Sequence, residues 1–275
     1  MRARREVVCN LIAAVAALVA LPGCKSVAPC PTTLRTDPEA TLAEHQARRA
    51  GWSSLKVEAR VTQWGRGGRI RGTVLMFLEQ PNRVRFDVMT QLGPAAILTS
   101  DGERFQLSDF RRQSFLEGET CPQNIARLLG ISISPEEVLL LLTGDTVMID
   151  PIAQSMQCRD GTYLVTLSGA DGGTQELSYS VRPEDRERSP SEQRLRLRRS
   201  TERGADGVTR WEATYDDYIE VDGQSFPTRV RFVDELNGAD TEVRVRSISV
   251  DPDVPDEAFR QTPASGMTIE TAPCP

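Results

Sequence analysis

Short segments in which apolar and polar residues alternate dominate this sequence. Between residues 54 and 62, for example, Leu55, Val57, Ala59 and Val61 are separated by single polar residues, and similar runs recur as far as residue 250. A period of two places the apolar side chains on one face of a β-strand. Turn signals separate the runs. The pattern predicts a mainly β protein with about 11 strands in a single, strongly curved antiparallel sheet.

Such a sheet must bury its apolar face, either by closing into a barrel or by staying partly open beneath helices. Segments 38–49, 122–129 and 135–142 predict helices, and each begins with Pro. Residues 138–142 are apolar on every side, which predicts a buried helix. A barrel of this strand number is too wide for side chains alone to fill easily. We therefore expect an apolar lumen whose natural guest is a hydrocarbon chain.

The amino terminus has the parts of an export signal. A basic start at residues 2–5 precedes an apolar stretch at 11–21, which is too short for a membrane-spanning helix. The next residues, Leu21-Pro22-Gly23-Cys24, resemble the bacterial lipoprotein signal, which implies cleavage before Cys24 and acylation of that cysteine. The alternative is an ordinary soluble signal in which the cysteine occurs by chance.

Acylation of Cys24 would anchor the mature chain in a membrane. Each buried methylene contributes about 0.8 kcal/mol, so two or three acyl chains would hold the protein almost permanently. Lys25 stands where an Asp marks inner-membrane retention in some bacteria, which favours the outer membrane, with the domain facing the periplasm. The chain then divides into a lipoprotein signal peptide at 1–23, a lipidated tether with the first helix at 24–50, and the β domain at 51–275.

Charge and composition argue against several classes of function. A formal net charge of −6 argues against a nucleic-acid partner. The one histidine, His45, is interpreted as a surface residue of the first helix. We find no nucleophile elbow, phosphate loop or metal-ligand spacing, and we predict no enzyme activity, cofactor or metal site.

The polar segment 183–193 predicts a mobile loop. Five Arg-x-Arg pairs are interpreted as part of a solvated sheet face, at 69/71, 83/85, 196/198, 229/231 and 244/246.

Four cysteines remain after removal of Cys9 and acylation of Cys24. In an oxidising compartment they predict two disulfides, for which three pairings exist. We favour one bond between Cys121 and Cys158, which would link the helical segments 122–129 and 135–142 to the next strand. The other favoured bond, between Cys30 and Cys274, would fix both chain ends to the domain. Free buried thiols are the alternative.

Three segments together resemble the LolA/LolB lipoprotein-carrier superfamily of bacterial envelope proteins. They are the opening meander at 54–88, the turn Gln91-Leu92-Gly93-Pro94, and the ending, in which Phe226-Pro227 starts a strand and Pro255-Asp256-Glu257-Ala258-Phe259 closes the domain. The resemblance covers roughly 51–266 and implies an unclosed barrel with a few helices as a lid. The chain departs from the classical LolB-type receptor of this superfamily in its extra cysteines, the 183–193 segment and a longer tail.

The resemblance implies a membrane-anchored protein that binds acyl chains in the barrel lumen and takes part in localising lipoproteins or lipids to the outer membrane. It implies a lipoprotein or lipid client and a soluble periplasmic carrier as partners, and we expect a monomer. The resemblance implies that Leu92 enters the membrane. The alternative is an ordinary turn leucine that folds back on the core. The candidate lumen residues are Val57, Ala59, Val61, Ile70, Val74, Met76, Val84, Phe86, Val88, Val230, Phe232, Val243 and Val245. Plain core packing is the other interpretation of this set, and an envelope scaffold protein without a lipid ligand is the alternative function.

Overall fold

The chain folds into one 14-stranded sheet with three α-helices among the residues that the structure, a computed structural model, describes, namely 28–65 and 68–274. The predicted signal peptide and Cys24 lie outside these residues. The helices are α1 (Pro38–Ala47), α2 (Pro122–Leu129) and α3 (Pro135–Thr143). The strands are β1 (Ser54–Gly65), β2 (Gly68–Glu79), β3 (Arg83–Thr90), β4 (Gly93–Ser100), β5 (Arg104–Asp109), β6 (Ser114–Glu119), β7 (Pro151–Arg159), β8 (Thr162–Gly169), β9 (Thr174–Val181), β10 (Leu195–Arg203), β11 (Thr209–Val221), β12 (Gln224–Asp234), β13 (Ala239–Val250) and β14 (Thr268–Thr271).

The order of strands in the sheet is β14-β6-β5-β4-β3-β2-β1-β13-β12-β11-β10-β9-β8-β7. Strand β1 pairs with β13, so the first strand meets the last but one in the middle of the sheet. All pairs are antiparallel except β14 with β6. The outermost strands, β14 and β7, do not pair with each other, which confirms a single unclosed sheet. The count of about 11 strands was too low, because both edge strands lack the alternation used to find the others.

The apolar side chains of the strands cover one face of the sheet. In β8 and β9 every second residue is buried, and the largest fully buried side chains include Tyr163, Tyr179, Tyr215 and Phe86. Helix α3 packs on this face and buries Val138, Leu139 and Leu142. Full burial of such a side chain stabilises the fold by about 1.5–3 kcal/mol. The predicted buried helix is confirmed.

Two disulfides form, but they do not have the favoured pairing. Cys30 bonds Cys158, and Cys121 bonds Cys274, with Cα atoms 6.1 and 6.2 Å apart. The first bond ties the amino-terminal segment to edge strand β7, and the second ties the carboxyl-terminal segment to the start of α2. The pairing prediction was wrong because Cys158 lies on a strand that the alternation does not reveal.

The polar segment predicted as a mobile loop is packed against the amino-terminal segment. Gln193 is fully buried; its side-chain amide donates to the Thr33 carbonyl at 2.8 Å, and its Oε1 accepts from the Tyr163 hydroxyl at 2.9 Å. Asp185 is also fully buried and accepts two hydrogen bonds from the Arg194 guanidinium. Buried polar groups are tolerated where they are hydrogen-bonded, and this network satisfies them.

Candidate functional site

Helix α3 is the element that lies between the apolar sheet face and solvent. Its start is fixed by a capping box, in which the Ser134 hydroxyl accepts from the Glu137 N–H at 3.2 Å and the Glu137 carboxylate accepts from the Ser134 N–H. Its end is marked by Gly144, whose φ of 78° is the left-handed conformation that glycine adopts most readily. The helix therefore has sharp limits at both ends, with an almost entirely apolar sequence between them.

The carboxyl end of α3 is held to α1 by Asp145. Its Oδ1 lies 2.8 Å from His45 Nε2, and its Oδ2 accepts from Arg49 Nε. The backbone carbonyl of Asp145 also accepts from the Tyr215 hydroxyl at 2.7 Å. We call the group of His45, Arg49 and Asp145 the α1–α3 latch, because it joins the two helices on one side of the apolar face.

The latch corrects the interpretation of His45 as a surface residue, since that side chain is buried. Burial lowers the pKa of His45, and the hydrogen bond to Asp145 opposes this effect only in part. Arg48 donates to Nδ1, so the neutral ring donates to Asp145 through Nε2. Burial alone would raise the pKa of Asp145, but the hydrogen bonds and charges of His45 and Arg49 lower it to about 2. At neutral pH the latch therefore contains an ionised Asp145 and a neutral His45.

A largely apolar cavity runs along α3 from the α2–α3 connection to Val147, and the carboxylates of Glu137, Glu202 and Asp234 also line it. Its volume is about 190 Å³. It is lined by the α2–α3 connection, α3 itself, the residues after α3 and strands β10 to β12, with Ile133, Leu141, Val147, Trp211 and Phe232 as its apolar residues. Trp211 and Phe232 stack, with ring centroids 5.8 Å apart. Ligand cavities for drug-sized molecules are usually about 300–1,000 Å³, so this cavity accommodates part of an acyl chain and not a whole one.

The candidate lumen residues fall into three groups. Ile70 is 69% exposed near the β1–β2 turn, so its assignment to the lumen was wrong. Its strand extends there beyond the part of the sheet that the helices cover. Nine of the others are buried: Val57, Ala59, Val74, Met76, Val84, Phe86, Val230, Phe232 and Val243. The remaining three, Val61, Val88 and Val245, are half-buried and pack against the core. Of the whole set, Phe232 lines the apolar cavity, and the others pack against protein.

Leu92 is fully exposed at the turn between β3 and β4. The Thr90 hydroxyl donates to the Gly93 carbonyl at 2.7 Å and accepts from the Leu92 N–H at 3.3 Å, which holds the turn and points the leucine outward. Leu92 therefore does not fold back on the core. Whether it enters a membrane remains a prediction.

Other exposed apolar side chains lie at the same end of the sheet. Successive antiparallel strands place alternate turns at one end, so the β1–β2, β3–β4, β5–β6, β10–β11 and β12–β13 turns are neighbours, together with the first residues of β14. We call the exposed apolar residues at this end the apolar rim: Ile70, Leu92, Phe110, Val208, Leu236 and Ile269. A contiguous exposed apolar surface is typical of a protein or membrane contact. Of these residues, the sequence singled out Leu92 as the membrane-facing residue and Ile70 as a lumen residue.

Solved structures with a similar fold include a LolA superfamily protein and a DUF1329 family protein. The chain is similar to a LolA superfamily protein from Nitrosomonas europaea, with a TM-score of 0.53 and 12% identity over 83% of this chain and 99% of the other. It is also similar to a DUF1329 family protein from Desulfovibrio piger, with a TM-score of 0.54 and 11% identity over 82% and 98% of the two chains. No family model matches the chain, and no curated protein sequence does either. The chain has a LolA-like fold, as the sequence resemblance predicted.

Membrane-spanning helices and metal-binding groups are both absent from the described residues. Residues 28–65 and 68–274 include no helix long and apolar enough to cross a membrane. The same residues contain no group of three or more His, Cys, Asp or Glu side chains placed to hold a metal ion.

Proposed function

We propose that the protein is a lipid-anchored envelope protein that binds acyl chains on the apolar face of its sheet, beneath α3. In this proposal Cys24 carries the anchor, the protein faces the periplasm from the outer membrane, and it takes part in localising lipids or lipoproteins there. The observation that supports the proposal best is helix α3, which is apolar from Val138 to Leu142, covers the buried face of an unclosed sheet and has a largely apolar cavity beside it.

The size of that cavity requires α3 to move before a whole chain binds. The capping box holds the amino-terminal end of the helix through half-buried groups, whereas the latch holds the carboxyl-terminal end with the Arg49–Asp145 ion pair, a hydrogen bond from neutral His45 and a buried hydrogen bond from Tyr215. Removing one partner of a buried charged network costs more than removing a helix cap. We therefore expect α3 to swing outward from its amino-terminal end, which exposes Val138 and Leu139 to the incoming chain.

The decisive experiment measures acyl-chain binding directly. Lipids that co-purify with a soluble Cys24→Ala form should be extracted and identified by mass spectrometry, and a fluorescent palmitate analogue should then be titrated into the same protein. Val147 lines the cavity and is 41% exposed, so Val147→Trp should fill the entrance without disturbing the core. Ile152, 73% exposed and outside the cavity lining, supplies the matched control Ile152→Trp.

We expect weaker binding of the analogue by Val147→Trp, unchanged binding by Ile152→Trp, and the same stability for both. Absence of any co-purified lipid, together with equal titrations for all three proteins, would contradict acyl-chain binding.

The packed interior supports one competing proposal, an envelope scaffold without a lipid ligand. Most of the candidate lumen residues are in contact with protein and not with a cavity. In a scaffold the apolar face would serve folding alone, and the apolar rim would hold a partner protein. The two proposals differ in the titration above, because a scaffold binds no analogue. They also differ in hydrogen exchange, since acyl-chain binding should change protection of α3 and partner binding should change protection of the rim.

A further inference from the structure

A second cavity, of about 220 Å³, lies at the end of the sheet opposite the apolar rim. It lies between α1, the ends of β9 and β11, the start of β10 and the turn between β11 and β12. Its charged lining residues are Glu44, Arg48, Arg182, Arg194, Arg196 and Glu220. At about 30 Å³ per water molecule, the volume corresponds to roughly seven waters, which is room for a small polar ligand.

The charges around this cavity do not balance locally. Glu44 pairs with Arg35 at 2.6 Å, and Arg194 pairs with Asp185 at 2.7 Å. Among the remaining lining residues, Arg182 and Arg196 share one carboxylate oxygen of Glu220.

Within the described residues Arg48 pairs with no carboxylate; it donates to the Leu195 carbonyl at 3.0 Å, to the His45 carbonyl at 3.4 Å and to His45 Nδ1. Outside the cavity lining, Glu184 approaches Arg182 at 3.9 Å but is 56% exposed. Three guanidinium groups therefore face the cavity with one carboxylate among them.

Three residues that line the cavity also have buried polar atoms without partners. The hydroxyl of Tyr179 is buried without a hydrogen-bond partner in the described part of the chain, although the residue is 0% exposed. The Nε atoms of Arg182 and Arg196 are buried and unpartnered in the same way. A buried donor without a partner costs about 1–3 kcal/mol, so a fold that retains three of them around one cavity is suited to a ligand that accepts hydrogen bonds.

We propose that this cavity binds the phosphate group of a small phosphate ester or of a phospholipid headgroup. A phosphate has several strong acceptor oxygens and pairs with guanidinium groups through charge-assisted hydrogen bonds. The Tyr179 hydroxyl and the guanidinium groups of Arg48, Arg182 and Arg196 are the donors. This cavity shares no lining residue with the cavity beside α3, so failure of the phosphate site would leave the acyl-chain proposal standing.

Calorimetric titration of the full-length protein in a maltoside detergent tests the site, with inorganic phosphate, glycerol 3-phosphate and acetate as ligands. Tyr179→Phe removes only the unpartnered hydroxyl, so its urea midpoint should be at least as high as that of the unaltered protein. Arg48→Gln removes the guanidinium without a carboxylate partner. Arg246, which pairs with Glu58 outside the cavity at 3.1 Å, supplies the matched control Arg246→Gln.

We expect Tyr179→Phe and Arg48→Gln to raise the Kd for phosphate about tenfold each, because hydrogen bonds to charged groups are among the strong ones. Arg246→Gln should leave it unchanged. Binding of the free ligands identifies a soluble phosphate ester. Binding only to phosphatidylglycerol vesicles, weakened by the same two variants, identifies a lipid headgroup. Equal binding of acetate and phosphate, or no binding in either arm, would overturn the proposal, and Tyr179→Phe keeps the test valid if Arg48→Gln does not fold.

Discussion

Replacement of Asp145 by Asn tests the α1–α3 latch most directly. The carboxylate accepts from His45, Arg49 and the Thr146 N–H. The pKa of Asp145 is about 2 in the folded protein against a reference of 3.8. At about 1.36 kcal/mol per pKa unit, this difference corresponds to about 2 kcal/mol of stability at neutral pH. Asp145→Asn should therefore lower the free energy of unfolding by about 2 kcal/mol.

The pH dependence of this loss follows from the sign of the pKa shift. A carboxyl group with a depressed folded pKa stabilises the fold above its unfolded pKa, and the stabilisation disappears as the pH falls towards the folded pKa. The Asp145 contribution to the difference between the unaltered protein and Asp145→Asn should be complete above about pH 5 and fall to about half by pH 3. Burial lowers the pKa of His45 and Asp145 raises it in part, so Asp145→Asn should lower it further, and the difference should first grow as the pH falls below about 6.5.

Urea unfolding at several pH values, followed by circular dichroism, measures that difference. Asp206 is an exposed carboxylate in the β10–β11 turn, where it pairs with Arg210 at 3.4 Å, and Asp206→Asn is the matched control. The control should change the free energy of unfolding by less than about 0.5 kcal/mol. A pH-independent loss in Asp145→Asn, or one no larger than the control, would refute the assignment of the latch.

Two further predictions concern the ends of the chain. Cys274→Ser removes the bond to Cys121, which closes a loop with a sequence separation of 153, and should cost about 2–4 kcal/mol in the free energy of unfolding; peptide mapping without reductant should recover Cys121 joined to Cys274 in the unaltered protein. Cys24→Ala should release the protein from membranes into the soluble periplasmic fraction, because it removes the predicted site of acylation; fractionation that still finds it in membranes would contradict the anchor.

The sequence predicts the sheet well where one face is buried and poorly at its edges. The runs that became β1, β3, β8 and β9 alternate because one side of each strand faces the core. Strand β7 is an edge strand with mostly exposed residues, and β14 has four exposed residues. Backbone pairing alone holds such strands, so their side chains reveal little about them. The disulfide error has the same origin, because Cys158 lies on β7.

The latch was missed for a different reason. His45 and Asp145 are separated by 100 residues, and neither belongs to a local motif. A single histidine in a polar helix is most often a surface residue, and burial became favourable only because the fold brings an acceptor to Nε2 and a donor to Nδ1. The cavity residue Arg196 was likewise assigned to a solvated face, since alternation gives the face of a strand but not the helix that packs over it.

The position of the tether relative to the apolar rim leads to a final prediction. Cys30 is bonded to Cys158 next to the β7–β8 turn, at the end of the sheet opposite the rim. Residues 24–30 span at most about 20–25 Å, whereas a 12-residue strand such as β1 is about 40 Å long. A domain that stands upright on an acylated Cys24 therefore presents Leu92 to a second surface and not to its own membrane.

Vesicle capture distinguishes these two surfaces. Full-length protein anchored in a supported bilayer should capture free vesicles from solution, and Leu92→Glu should reduce the capture while leaving the urea midpoint unchanged, because the side chain is fully exposed. Ile219, 39% exposed on β11 towards the opposite end, supplies the control Ile219→Glu, which should capture vesicles normally. If Leu92→Glu weakened attachment to the supporting bilayer instead, the rim would contact the anchoring membrane, and the domain would have to lie on its side.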